Sequence, residues 1–310
     1  MKVLRQYRAD VDVSALCRLF GKTRQGFYKQ LKSKENQHLE DELVLQLVRE
    51  LREKMPCLGT RKLLHLLKEP LAKHGIEMGR DRLFALLESQ QMLVRQRRRS
   101  SRTTYSFHRF RKYDNLIRDF VPKAPHQLWV SDITYIAVGE GFSYLSLVTD
   151  AYSHKIVGYH LHTGLQAVGA VKAVQMAIAQ RTKTRRRLIH HSDRGFQYCC
   201  ELYVEVLENE KIMISMTQNG DPYENAMAER VNGILKVEFD LYRRFETHEQ
   251  AQQAVDQAVK TYNEVRPHAS CDFLTPAQAH EKEGVLKKRW KNYPAKRETA
   301  VNLVPDEMMN

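Results

Sequence analysis

The chain has 310 residues, 42% of them hydrophobic, with a net charge of +13 and a pI near 9.5. That length allows two domains or one large and one small, and the apolar fraction is ordinary for a buried core. No apolar run nears the roughly 18–20 residues that span a bilayer, and Met1-Lys2-Val3-Leu4-Arg5-Gln6 has no signal-peptide core, so the reading is soluble, cytoplasmic and away from membranes.

The charge is unevenly placed. Residues 1–125 carry 28 Lys+Arg against 14 Asp+Glu, a surplus of +14, while residues 126–310 carry 22 against 23, a balance of −1. A basic front half on a neutral back half suggests a nucleic-acid-binding region joined to something else. The five cysteines (Cys17, Cys57, Cys199, Cys200, Cys271) form no C-x-x-C pair, which argues for reduced thiols and against structural zinc.

In chain order, residues 12–32 predict two short helices. Asp12 or Ser14 caps the first, with Ala15, Leu16, Leu19 and Phe20 inward; Gly21 breaks it and Thr23 caps a second through Leu31. With Lys22, Arg24, Gln25 and Lys29 outward this is a helix-turn-helix outline, segment 1–36. Residues 37–95 read as a second helical DNA-binding module. It comprises an amphipathic helix over 39–54 (Leu39, Leu43, Val44, Leu47, Val48, Leu51), one opened by Thr60, a connector from Pro70 to Gly79, and a third helix over 80–92. Residues 96–124 are a basic linker or arm with Arg97, Arg98, Arg99, Arg102 and Arg109, a run that gains by lying along phosphates.

From Gln127 the period shifts to that of strands. Strands over 128–138, 142–150 and 155–162 are followed by a helix over 165–179 and a strand over 187–191. A helix over 202–208, a strand over 212–216, and helices over 223–239 and 248–262 complete the pattern. This β-β-β-α-β-α-β-α-α order matches an RNase H-like α/β core over 125–282, a five-stranded mixed sheet with helices on both faces; residues 283–310 are left as a C-terminal tail.

Three acids fall where such a fold needs them. Asp132 sits inside the first strand among apolar and β-branched neighbours, where an acid costs strand stability. Asp193 follows the fourth strand, adjacent to the first in this fold. Glu229 lies on the following helix, which Ala226 and Ala228 let approach the sheet. Three converging carboxylates repel unless cations lie between them. Oxygen-only ligands point to two Mg²⁺ ions, with Mn²⁺ as substitute, acting on an in-line displacement at phosphorus. Each acid alone has a plainer reading: edge residue, turn former, surface charge. Their joint placement favours chemistry. His190 and His191 read as structural, with alternation sending one inward and one out. Asp150 is assigned to a turn, and Trp129 to the core on the face opposite Asp132.

Leu-Trp-Val-Ser-Asp-Ile-Thr-Tyr (128–135), His-Ser-Asp-Arg-Gly-Phe-Gln-Tyr (191–198) and Asn-Gly-Asp-Pro-Tyr-Glu-Asn-Ala-Met-Ala-Glu-Arg (219–230), with 35 residues between Asp193 and Glu229, carry a specific likeness. So do Lys236, Tyr262-Asn263, Arg266-Pro267-His268 and Thr275-Pro276. On these motifs the chain resembles the OrfB-type transposases of the IS-three (third insertion-sequence) family, within the DDE superfamily that includes retroviral integrases. Arg230 departs from the small polar residue usual after the catalytic Glu. The resemblance implies binding of terminal inverted repeats, hydrolysis that frees a 3′-hydroxyl, and attack of that hydroxyl on target DNA. It implies at least a homodimer, since two ends are synapsed, and leaves room for a segment fused from an upstream reading frame. Candidate DNA contacts are Arg24, Lys29, Arg97, Arg98, Arg99, Arg102, Arg109, Arg230, Lys236, Arg266 and His268. The alternative, a DNA-binding regulator derived from a transposase, calls for loss of an acid, and all three are present.

Overall fold

A computed structural model of the protein describes residues 12–94, 109–181, 186–218 and 225–289. Arg97, Arg98, Arg99 and Arg102 of the basic arm, Asn219-Gly220 and Tyr223 before the third acid, and residues 290–310 of the tail lie outside them.

Helix α1 (Val13–Leu19) buries Val13, Leu16 and Cys17, a one-turn stripe. Leu19 and Phe20, expected inward, are 75% and 49% exposed because they fall past that stripe at the helix end. Gly21 takes a positive φ of 62° and turns the chain, as expected of a residue without a Cβ. The Thr23 hydroxyl then accepts the Gly26 N–H at 3.0 Å, capping helix α2 (Arg24–Lys54). Here the structure departs from the expectation. The two helices predicted over 23–31 and 39–54 are one helix of 31 residues, about 46 Å long at 1.5 Å per residue. From Phe27 to Lys54 there is no Gly or Pro, and Lys, Glu, Gln and Leu dominate, so nothing stops propagation. The boundary drawn at 36/37 falls inside it, and Leu39 is exposed.

Helix α3 (Thr60–Lys73) runs through Pro70, where a connector was expected. Proline removes one donor from the helix ladder, but Leu63, Leu67 and Leu71 are all buried on one stripe and hold the last turn. Helix α4 (Arg80–Ser89) buries Leu83 and Leu87. The described half of the basic linker is no free arm. The Leu116 N–H donates to the Ser215 hydroxyl at 2.9 Å, and Tyr113 and Ile117 pack against buried clusters of the core.

The sheet has the order β3-β2-β1-β4-β5. Strand β1 (Leu128–Val138) pairs antiparallel with β2 (Gly141–Asp150), which pairs antiparallel with β3 (Ile156–His162). Strand β4 (Ile189–Ser192) lies parallel to β1, and β5 (Met213–Met216) parallel to β4. On one face, helices α5 (Ala167–Ala179), α6 (Phe196–Cys199) and α7 (Glu201–Asn209) cover Trp129, Val148, Val157 and Ile214. On the other, α8 (Ala226–Glu238) and α9 (His248–Glu264) cover Ile136, Leu145 and Leu147. This second cluster continues without a break into Val48, Leu63, Leu67 and Leu83, so the helical region and the sheet share one core. A 3₁₀ turn (Ala269–Cys271) and α10 (Pro276–His280), with a Thr275/Gln278 capping box, close the described chain. The architecture is RNase H-like, five mixed strands with helices on both faces, as the sequence order indicates. No described helix is long and apolar enough to cross a membrane.

Candidate active site

β1 and β4 pair only over Leu128–Val130 and Ile189–His191. Asp132 therefore stands just past the paired stretch on β1, and Asp193 just past the end of β4. The two acids thus flank the point where β1 and β4 part, Asp132 within β1 and Asp193 beyond the carboxyl end of β4, where open α/β sheets leave a crevice. Asp132 Oδ1 accepts the Ile133 N–H at 2.9 Å and Oδ2 accepts the Asn232 amide at 2.8 Å. Asp193 Oδ1 accepts the Gly195 N–H at 2.9 Å, and a Cβ on Gly195 would press to 3.0 Å of that oxygen. Burial first, then the Asp193 charge, push the Asp132 carboxyl up to about 7; the Asn232 and Ile133 hydrogen bonds oppose this, and Glu229 adds to it. An acid whose neighbours resist its ionisation is one that a cation would favour.

Glu229 lies in the first turn of α8, exposed to solvent yet within electrostatic reach of Asp132. Two asparagines that sequence reasoning missed fix that helix. The buried Asn225 side chain donates to the Ser131 carbonyl at 3.1 Å, and Asn232 reaches Asp132 itself. The available signal for Asn232 was its position one turn after Glu229 on the same face. Ala228 is buried against Leu128, Val130 and Ile189, so it lets the helix approach, whereas Ala226 is exposed and plays no such part. Lys236, two turns on, sets its ammonium 4.2 Å from the Tyr135 ring centre and 5.5 Å from that of Tyr242. Burial lowers its pKa and Asp132 opposes the shift.

Other expectations meet mixed outcomes. Trp129 is fully buried on the face opposite Asp132. Asp150 anchors the turn after β2, accepting from the Ser153 N–H and hydroxyl, each at 2.9 Å, and from the His126 N–H at 2.7 Å. His190 and His191 are both buried, because β4 is covered on both faces; the expectation that one points out is wrong. Their Nε2 and Nδ1 lie 2.7 and 2.8 Å from the Ser131 and Ser215 hydroxyls, a hydrogen-bonded structural role.

Arg266 and His268 are the clearest corrections to the DNA-contact set. Arg266 is 2% exposed and bonds Glu238 through Nε at 2.7 Å and Nη2 at 3.0 Å. His268 is buried and stacks on His154 at 4.2 Å. Neither reaches a phosphate. His154, His268 and Cys271 bring possible ligand atoms within 4.8 Å of one another; burial first, with the Arg266 charge adding to it, depresses both imidazoles, and that neighbouring positive charge opposes a cation there. Arg24, Lys29, Arg109 and Arg230 are exposed, as DNA contact requires.

Integrase core domain families match residues 122–222 and 210–276. A 31 kDa protein of insertion element IS600 from Shigella sonnei is 34% identical over 272 residues, 86% of this chain and 98% of its own length. The transposase InsF for insertion sequence IS3A of Escherichia coli K12 is 29% identical over 289 residues, 90% of this chain and 97% of its own. Among solved structures, the catalytic core domain of HTLV-2 integrase in complex with magnesium matches at a TM-score of 0.42 and 18% identity, covering 52% of this chain and all of that one. Sheet order and domain matches define a polynucleotidyl transferase with an integrase core. Within that class, the chain belongs to the IS3 family of insertion-sequence transposases, in the DDE/integrase superfamily.

Proposed function

We propose that this transposase cuts and joins DNA strands at Asp132, Asp193 and Glu229, acting on the terminal inverted repeats of its element and on target DNA. The observation that carries the reading is the Asp132–Asp193 pair just past the paired stretch of β1 and β4, with the Glu229 helix tied to β1 by Asn225 and Asn232.

All three acids offer only oxygen, and burial together with the anionic neighbours of Asp132 disfavours its ionisation, so the donor set fits two Mg²⁺, or Mn²⁺ in their place. Bound there, the ions would lower the pKa of the attacking water or 3′-hydroxyl and neutralise charge on the leaving oxygen. The protein's own residues do the rest. The Asn232 amide and Ile133 N–H each engage one oxygen of Asp132 and fix its rotamer. The Gly195 N–H does the same for Asp193. Lys236 supplies a cation beside the cluster for a phosphate of the bound strand, and Arg230 a second at its rim. Arg24, Lys29 and Arg109 supply exposed charge to the DNA backbone, and the arginines at 97, 98, 99 and 102 extend that surplus. At least a homodimer is proposed, since two ends must be held together.

The test is cleavage and joining on a labelled duplex bearing the terminal repeat, with Mg²⁺, comparing the native protein with Glu229→Gln. The variant should bind DNA and lose both reactions by at least a hundredfold. A variant that still cuts would refute the site. A native protein that binds and does not cut would favour the DNA-binding regulator.

A further inference from the structure

Asp132 and Asp193 line a cleft of about 570 Å³. Its walls are aromatic. Tyr135, Phe142 and Tyr144 belong to β1 and β2, and the pairing of Tyr135 with Tyr144 and of Ala137 with Phe142 puts all three on one face of the sheet. Phe196, at the start of α6, lines the same cleft from the segment that carries Asp193. Phe142 and Phe196 are 50% and 37% exposed, and Leu165 at the same cleft is 45% exposed. Tyr135 and Phe142 meet edge to face at 5.3 Å, and the Lys236 ammonium lies over Tyr135.

Exposed rings in a strand and in a short helix, grouped within one cleft, contribute nothing to the core and are costly to leave in water. A phosphate backbone gains nothing from apolar walls; a base has a π-face for which such rings are a platform. Asp132 and Asp193 line the same cleft, and the Lys236 ammonium lies over one of its rings, so a strand whose phosphate lies at the acids has its neighbouring base within reach.

We propose that this cleft receives one unpaired nucleobase, that of the nucleotide flanking the scissile phosphate at the element end, stacked on Phe142 and Phe196. The end is the substrate of the first reaction, so its flanking nucleotide is the one present whenever the acids engage a phosphate to be cut. The proposal rests on the assignment of Asp132, Asp193 and Glu229 above. Extruding a base costs unstacking, and a pocket that stacks it again offsets that cost while fixing the adjacent phosphate.

The experiment measures Mg²⁺-dependent cleavage by the full chain on two labelled end duplexes, one intact and one abasic at the flanking nucleotide. Phe142→Ala and Phe196→Ala are compared with the native protein and with Phe142→Trp and Phe196→Trp, which keep a stacking surface. The expected result is a loss of about tenfold or more for each alanine variant on the intact end, near-native rates for the tryptophan variants, and a loss that shrinks below about twofold on the abasic end. Both rings are exposed, so the alanine variants should keep the native melting temperature. Native rates for both alanine variants on the intact end would overturn the proposal, as would equal losses on intact and abasic ends. In a joining assay, losses relieved by an abasic site in the target rather than in the end would also overturn it, assigning the cleft to target DNA. Glu229→Gln runs in parallel: cleavage by that variant means the acid assignment has failed, independently of the two phenylalanines.

Discussion

Asn232 is the side chain whose effect on the acids can be isolated most cleanly. It is buried on α8 and donates to Asp132 Oδ2 at 2.8 Å, while the Ile133 N–H takes Oδ1 at 2.9 Å. Each carboxylate oxygen thus has one protein donor and keeps lone pairs for a cation. Partners that orient a metal ligand in this way commonly account for 10–100-fold in metal affinity or activity. Asn232→Ala should therefore lower strand cleavage by about that factor at limiting Mg²⁺, with the deficit narrowing as Mg²⁺ is raised. A deficit that stays constant across Mg²⁺ concentrations would mean that Asn232 orients the Glu229 helix and leaves the acids' affinity for the ion unchanged. Gly195 belongs to the same scale: its N–H holds Asp193, and its missing side chain leaves that oxygen room.

Among the elements, α5 sits on β3 through Gly158, where a Cβ would meet the Ala173 carbonyl oxygen at 2.1 Å and the Ala177 nitrogen at 2.9 Å. Both are backbone atoms of a helix, so Gly158→Ala must lift α5 off the sheet. Overpacking of this kind costs about 1–3 kcal/mol, read as a melting temperature several degrees lower; an unchanged transition would mean that α5 stands further from β3. The strands themselves were readable because alternation put Trp129 and Asp132 on opposite faces, and the acids because each stood against its local background. Three features were not readable, for physical reasons. The length of α2 follows from the absence of any breaker after Phe27, a negative signal that patterns of leucines do not register. The burial of both His190 and His191 follows from helices on both faces of a four-residue strand, which period-2 alternation cannot report. Asn225 and Asn232 act through side-chain bonds 94 and 100 residues away in sequence, a separation no local pattern spans.

At the scale of the whole molecule, α8 joins the candidate active site to the N-terminal helical region. It presents Glu229 in its first turn, and at its last residue Glu238 holds three partners. The side chain takes Arg266 in two hydrogen bonds and Lys62 of α3 in a third, and the backbone oxygen accepts the Cys57 N–H at 3.1 Å. Arg-Pro-His read in sequence as surface charge because its acid lies 28 residues earlier on another helix. Burial would raise the Glu238 carboxyl, but the Arg266 hydrogen bonds and charge, then Lys62, outweigh it and hold it below the ordinary carboxylate range. Glu238→Gln strands two cations in a buried site, a loss of about 3–5 kcal/mol. Lys62→Met removes one cation and leaves the Arg266–Glu238 pair whole, so it should cost far less while loosening the helical region from the core. Thermal unfolding should therefore rank native, Lys62→Met and Glu238→Gln in falling order. The acid dependence has a definite sign. A carboxyl whose folded-state pKa is depressed contributes fully above its ordinary value and loses that contribution as pH falls through the depressed one. The gap between native and Glu238→Gln melting temperatures should be widest near neutrality and narrow in acid. A gap that holds constant into acid would show that Glu238 acts by packing and not by charge. Equal melting temperatures for the two variants would place the stabilising contact at Lys62 instead of Arg266.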